Sequence, residues 1–134
     1  MRQINSLYIE GYRGKNRLLL LFAPSAKGAS FEAQMNLLDG EGEELDRRDI
    51  VHGTIFVEGT SRLGERALDR AAVLGLREDF GINPESFCMV LVDKDGTELL
   101  RDDAAMEPDV IYGYFDQPAA ERVDHRQNTR VQSR

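Results

Sequence analysis

Cysteine and histidine are scarce in this sequence, and tryptophan is absent. Among the 134 residues there is one cysteine, Cys88, and there are two histidines, His52 and His125. A single cysteine excludes an internal disulfide and a cysteine-rich zinc site. The two histidines lie far apart in the sequence and form no metal-ligand motif. The sequence therefore predicts no metal site, and it contains no cofactor-binding motif.

Long apolar runs are also missing. The most apolar stretch, Leu18 to Phe22, is far shorter than the roughly 20 residues of a membrane-spanning helix, so we expect no membrane insertion. Residues 1–16 lack the apolar core of a secretory signal peptide. We therefore expect a cytoplasmic location for the chain as given, or a periplasmic or extracellular one if a leader has been removed.

Positive charge is in deficit, with 17 lysines and arginines against 24 acidic residues and a net charge of −7. An acidic surface repels phosphate backbones, so nucleic acid is not an expected partner. The length fits one domain. We assign that domain to residues 1–116 and interpret residues 117–134, which are polar and lack periodicity, as a flexible tail.

The most apolar stretch predicts a strand, a loop and a helix in succession. Leu18 to Phe22 lacks helical periodicity and polar residues, which is typical of a strand buried on both faces of a sheet. The loop Pro24 to Ser30 follows the carboxyl end of this strand, where α/β folds place binding sites. Ser30 is predicted to N-cap the helix that follows. This loop is where we first expect a functional site.

The remaining chain completes an α/β domain with the order β-α-β-α-β-β-α. The predicted elements are a possible short strand around Leu7 to Ile9, a helix from Ser30 to about Arg47 that Gly40 and Gly42 weaken or divide, a strand from Ile50 to Val57, a loop from Glu58 to Gly64, a helix from Glu65 to Phe80, strands from Phe87 to Val92 and Thr97 to Leu100, and a helix from Pro108 to Phe115. Asp95-Gly96 predicts a type I′ hairpin between the last two strands. A right-handed crossover and this hairpin predict a four-stranded mixed sheet in the order 2-1-3-4, flanked by helices.

His52 and Cys88 both fall within predicted strands. A histidine in a strand is usually a structural residue, so no catalytic role is predicted for His52. Cys88 is not at a helix N-terminus, and we interpret it as a small buried hydrophobic residue with no lowered pKa. The sequence thus presents no catalytic constellation.

Short motifs also recur in a characteristic order between about residues 13 and 122. They are Arg17 with LLLLFAPS, Phe31 and Gln34, Leu45 with Arg48-Asp49-Ile50-Val51, residues 80–87, Val90 to Thr97 with Lys94-Asp95-Gly96, and Asp116-Gln117-Pro118 followed by Glu121-Arg122. In order and spacing they resemble a thioredoxin-like, peroxiredoxin-like domain family of unknown function, shared by short bacterial proteins and vertebrate sushi-repeat-containing extracellular proteins. The resemblance implies a thioredoxin-like fold without an established activity.

In thioredoxins the redox cysteines lie in the loop that corresponds to Pro24 to Ser30. In thioredoxins the first strand ends in a Phe/Trp-Ala pair, and the C-x-x-C motif begins three residues after the alanine. Aligning Phe22-Ala23 with that pair places Ala26-Lys27-Gly28-Ala29 at the motif. Both thiols are missing. Thiol–disulfide exchange needs an attacking thiolate, so a conventional oxidoreductase is not favoured.

Three interpretations of the loop remain. The favoured one is a non-catalytic binding or adaptor module for an unknown protein, because the fold is kept and the active-site loop is empty. The second is a thiol-independent enzyme that uses Lys27 with Ser25 or Ser30. The third is a site for a small anion at the helix start, formed by Ser25, Ala26, Lys27, Gly28 and Ser30. A divergent peroxiredoxin-like oxidoreductase is a further alternative.

Overall fold

The computed structural model describes residues 2–117. The strands are β1 (Arg2–Gln3), β2 (Arg17–Ala23), β3 (Ile50–Phe56), β4 (Ser61–Leu63), β5 (Arg66–Leu68), β6 (Cys88–Val92) and β7 (Thr97–Asp102). The α-helices are α1 (Ala29–Leu38), α2 (Gly42–Arg47), α3 (Arg70–Phe80) and α4 (Pro108–Asp116), and a 3₁₀ turn spans Glu10–Tyr12. The tail predicted for 117–134 lies, from residue 118 onward, outside the described residues.

The strands form one mixed sheet in the order β1-β7-β6-β2-β3-β4-β5. β2 is parallel to β3 and antiparallel to β6, and β6 is antiparallel to β7. The four strands expected from the sequence therefore lie in the predicted order, as β3-β2-β6-β7. The predicted number of strands is wrong, because β1, β4 and β5 extend the sheet to seven.

The sheet is longer than predicted because three edge strands are very short. β4 and β5 form a tight hairpin in which Leu63 pairs with Arg66, and Gly64 turns the chain with a φ of 60°. The predicted helix start at Glu65 is therefore wrong. Asp69 caps α3 instead, because its carboxylate accepts a hydrogen bond of 2.8 Å from the Ala72 amide.

The predicted first helix is divided in two, as its glycines allowed. Gly40 adopts a φ of 82° between α1 and α2, a conformation that interrupts helical geometry and that glycine adopts at low cost. The N-cap of α1 is Gly28 and not Ser30. Ser30 already lies within the first helical turn, so the cap predicted there is wrong.

Two further local predictions need correction. The stretch around Leu7 to Ile9 is a turn, in which the Ile9 amide donates a hydrogen bond of 3.2 Å to the Ser6 carbonyl. The strand predicted there is therefore wrong. The hairpin of β6 and β7 is confirmed, but its turn is not of type I′, because Asp95 does not adopt a positive φ. In this turn the Gly96 amide donates a hydrogen bond of 2.9 Å to the Asp93 carbonyl.

β2 lies at the centre of the sheet and separates two hydrophobic cores. Leu19 and Leu21 pack into a core with residues of α1, α2 and α4. Leu18, Leu20 and Phe22 pack into a second core with residues of α3. Successive side chains of a strand point to opposite faces. A strand that lies between two cores therefore needs an apolar residue at every position. Helices therefore cover both faces of the sheet.

Candidate functional site

The predicted loop lies where the carboxyl ends of the parallel strands β2 and β3 meet. It leaves β2 after Ala23 and delivers the chain to α1. The segment after β3 is tied to it, since the Val57 amide donates to the Ala23 carbonyl at 3.2 Å and the Glu58 amide to the Pro24 carbonyl at 2.9 Å. The first residue of β6 and the last of β7 lie at the same end of the sheet. This edge gathers four loops from distant parts of the chain.

The five predicted binding residues occupy the loop and the first turn of α1. Ser25 is half-exposed, and its hydroxyl accepts a hydrogen bond of 3.2 Å from the Lys27 amide. Ala26, Lys27 and Gly28 are exposed, and Ser30 is half-buried. No side chain caps α1 at Gly28. The loop therefore presents backbone amides and one lysine at a helix start.

The described residues supply no redox or metal chemistry at this loop. Ala26 to Ala29, the positions aligned with C-x-x-C, carry no thiol. Across residues 2–117 no group of three or more histidine, cysteine, aspartate or glutamate side chains could hold a metal ion. The polar side chains of the loop are the hydroxyls of Ser25 and Ser30 and the ammonium group of Lys27.

Cys88 is the first residue of β6 and pairs with Phe22 of β2. It is half-buried, so it is less buried than the sequence predicted. Burial raises the pKa of its thiol, which nearby Arg101 lowers in part. The prediction that its pKa is not lowered is therefore confirmed. A thiol of raised pKa is a poor nucleophile at neutral pH.

A cleft of about 370 Å³ opens beside Cys88. It lies between the segment 81–87, which follows α3, and the carboxyl end of β7. Its lining includes Phe87, Arg101, Asp102 and Asp103, and none of the five predicted binding residues. Sequence reasoning missed this cleft. The adjacent carboxylates that follow the hairpin are the signal that could have drawn attention to it.

Arg77 is a second residue that sequence reasoning missed. It is 7% exposed although it carries a charge, and its guanidinium donates to the Ile55 carbonyl at 3.1 Å and the Asn83 carbonyl at 3.3 Å. Burial lowers its pKa. The side chain thus ties α3 to the end of β3 and to one wall of the cleft.

His52 takes no part in the site. It lies in β3 opposite Leu19 of β2, and burial of its half-buried side chain lowers the pKa of the imidazole. The structural role predicted for it agrees with this position.

Charged residues of the sequence motifs meet at the opposite end of β2. There they form ion pairs that link the strand to the turn between β6 and β7, to the residues before β3, and to α4. The pairs are Arg17–Asp93, Lys94–Asp49 and Arg48–Asp116, with nitrogen–oxygen distances of 3.3, 2.9 and 3.2 Å. These side chains pair with one another and connect separate elements of the fold. We therefore interpret these motifs as structural.

No helix within residues 2–117 combines the length and the apolar character needed to cross a membrane.

The fold has a counterpart among solved structures. The chain is similar to the reduced 2-Cys peroxiredoxin of Plasmodium vivax, with a TM-score of 0.57 and 12% sequence identity, over 88% of this chain and 83% of that one. At this identity the likeness concerns the fold alone. The architecture is therefore thioredoxin-like, of the peroxiredoxin kind.

The sequence has a relative among characterised proteins and a matching family. It is 29% identical over 111 residues to the sushi repeat-containing protein SRPX of Homo sapiens. The match covers 81% of this chain and 24% of that protein, so the chain spans about a quarter of its relative's length. The family described as Domain of unknown function (DUF4174) matches residues 8–122. With most of its length matched in this way, the chain belongs to the DUF4174 family.

Proposed function

We propose that this chain is a non-catalytic binding module with a thioredoxin-like fold. The observation that carries the proposal is the position of Ala26 to Ala29, which stand at the start of α1 where a thioredoxin has its two thiols. The loop that contains them is tied at its first residue, Pro24, whose carbonyl accepts a hydrogen bond of 2.9 Å from the Glu58 amide. A loop without a thiol can recognise a partner but cannot exchange disulfides. The partner is an unknown protein or a small anionic ligand.

The proposal predicts that Cys88 reacts slowly with thiol reagents in the native protein. Its alkylation by iodoacetamide at neutral pH is expected to be slower than in the urea-unfolded chain by on the order of tenfold or more, because burial limits access and raises the thiol pKa. Labelling rates measured by mass spectrometry give the comparison. Hydrogen peroxide consumption is expected to be equal for the wild type and Cys88→Ser. Peroxide turnover that Cys88→Ser abolishes would contradict the proposal and favour a divergent peroxidase.

A small-anion site at the loop is the second candidate, favoured by the absence of a side-chain cap at Gly28. Uncapped amides at a helix start attract negative charge, and this attraction is felt within the first turn. Ala29 is the first residue of α1, whereas Ala26 lies two positions ahead of the N-cap. The two positions therefore form a matched pair for a test.

We expect a cysteine at Ala29 to titrate at a lower pH than a cysteine at Ala26. Ala29→Cys and Ala26→Cys are compared, each in a Cys88→Ser background, by the ultraviolet absorbance of the thiolate. An exposed helix start favours an anion by about 0.3–1 kcal/mol, and about 1.4 kcal/mol corresponds to one pKa unit. The expected difference is therefore about half a unit. A pKa that at both positions is no lower than that of a cysteine in the urea-unfolded chain would exclude the anion site.

A further inference from the structure

The cleft between segment 81–87 and the end of β7 has the size of a ligand site. Its volume of about 370 Å³ falls in the range of roughly 300–1,000 Å³ typical of small-molecule pockets. It shares no lining residue with the loop Pro24 to Ser30. A ligand here therefore goes beyond the proposed function and does not depend on that loop.

Part of the lining of the cleft is apolar. Ile82 and Phe87 line it together with the thiol of Cys88. Ile82 belongs to the core around α3, whereas Phe87 packs against the core on the other face of the sheet. Both side chains are anchored by these cores, so the apolar lining is preformed. A ring such as that of Phe87 also attracts an organic cation above its face.

The positive charge in the lining is already compensated. The guanidinium of Arg101 makes two hydrogen bonds to the Glu98 carboxylate, at 3.1 and 2.8 Å, and a third to the Phe80 carbonyl at 2.8 Å. With its charge paired and three of its donors engaged, Arg101 is poorly placed to receive an anionic ligand.

The negative charge is not compensated in the same way. Neither Asp102 nor Asp103 forms an ion pair with another residue of the described chain. The Asp102 carboxylate accepts a hydrogen bond of 3.2 Å from the Ala104 amide. Burial has the largest effect on the pKa of Cys88 and raises it; of the charged groups nearby, Arg101 lowers this pKa, and Glu98, Asp103 and Asp102 raise it by smaller amounts. The cleft therefore carries two negative charges beside an apolar lining.

From this cavity and its charge we infer that the cleft binds a small organic cation, with an ammonium or guanidinium group on a short apolar body. The cationic group lies against Asp102 and Asp103, and the apolar body lies against Ile82 and Phe87. Anionic ligands of the same shape are rejected, because they would place a like charge beside two carboxylates.

Cys88 provides a reporter inside the cleft. Its thiolate can attack one sulfur of cystamine, a dication, or of dithiodipropionate, a dianion of similar length. In either case the reagent's disulfide breaks, a mixed disulfide to Cys88 forms, and the released thiolate takes up the proton that Cys88 lost. Each native rate is divided by the rate for the urea-unfolded chain, so that the intrinsic reactivity of the reagent cancels.

We expect the normalised rate with cystamine to exceed that with dithiodipropionate by about tenfold at low ionic strength, and the ratio to fall as salt is added. In Asp102→Asn/Asp103→Asn the ratio is expected to approach one. The control Asp39→Asn/Asp46→Asn removes the same charge from exposed positions outside the cleft and is expected to keep the preference. Equal rates in the wild type, a preference that survives in the cleft variant, or no native reaction with cystamine would overturn the inference.

A reversible measurement tests the same site without thiol chemistry. In Cys88→Ser, phenethylamine is expected to shift the amide resonances of residues 81–83, 85–88 and 101–103 in a saturable way, and 3-phenylpropionate is expected to leave them unchanged. Shifts confined to other residues, or equal shifts with both compounds, would overturn the assignment. Neither result bears on peroxide turnover or on the loop cysteines, so the inference and the proposed function are tested separately.

Discussion

Replacing Phe22 by alanine is expected to lower the free energy of unfolding by about 3–5 kcal/mol. Phe22 is completely buried in the central strand, and the centroid of its ring lies 5.5 Å from that of Phe80. The guanidinium carbon of Arg77 is 5.8 Å from the ring centroid. Truncation removes these contacts and leaves a cavity that a strand hydrogen-bonded on both sides cannot close. Urea unfolding followed by circular dichroism measures the change.

Leu74→Ala is the control for this measurement. Leu74 is also a large apolar residue, but it is 55% exposed on α3. Its truncation is expected to change the free energy of unfolding by about 0.5 kcal/mol or less. If Phe22→Ala cost no more than Leu74→Ala, the packing of α3 against β2 described above would be wrong.

The central strand β2 could be predicted because its apolar residues pack on both faces of the sheet. The run Leu18 to Phe22 has an apolar residue at every position, and two separate cores use alternate ones. Thr97 to Leu100 follows a turn that returns the chain beside β6. These are local signals of several residues each, and the pairing order then follows from the crossover and the hairpin.

The edges of the sheet could not be predicted in the same way. β4 and β5 contain three residues each, which is too few for an alternation of apolar and polar residues to stand out. Their pairing depends on the turn at Gly64 and on an edge of β3 that only the folded sheet presents. The start of α3 was predicted too early, at Glu65, because the residues just before Asp69 belong to the short strand β5.

The site was predictable only where it is local in sequence. The loop Pro24 to Ser30 lies at the end of β2 because a loop must follow a buried strand. The cleft instead joins residues 81–88 to residues 101–103, and Arg77 finds its carbonyl partners in Ile55 and Asn83. A charged residue in a helix usually lies on an exposed face. No residue near Arg77 in the sequence indicates that its guanidinium donates to the carbonyls of Ile55 and Asn83.

Alanine substitutions at two glycines are expected to change stability in opposite directions. At Gly53, in β3, an added Cβ would lie 2.8 Å from Cδ1 of Leu63 and 3.2 Å from the Arg62 carbonyl oxygen. Leu63 is completely buried, so it has little room to move, and overpacking of this kind costs about 1–3 kcal/mol. The lower flexibility of the unfolded chain offsets part of this cost. We expect Gly53→Ala to lower the free energy of unfolding by about 1–2 kcal/mol.

Gly42→Ala is the matched substitution. Gly42 is the first residue of α2, no atom outside its own helix lies within 4 Å of the position of its Cβ, and its φ is not in the left-handed region. Alanine there is expected to raise the free energy of unfolding by about 0.4–1 kcal/mol. Urea titrations of both variants and the wild type test the pair. A Gly53→Ala protein at least as stable as the wild type would show that β4 does not pack against β3 as closely as this structure has it, whereas loss of stability in Gly42→Ala would contradict the helix assigned to 42–47.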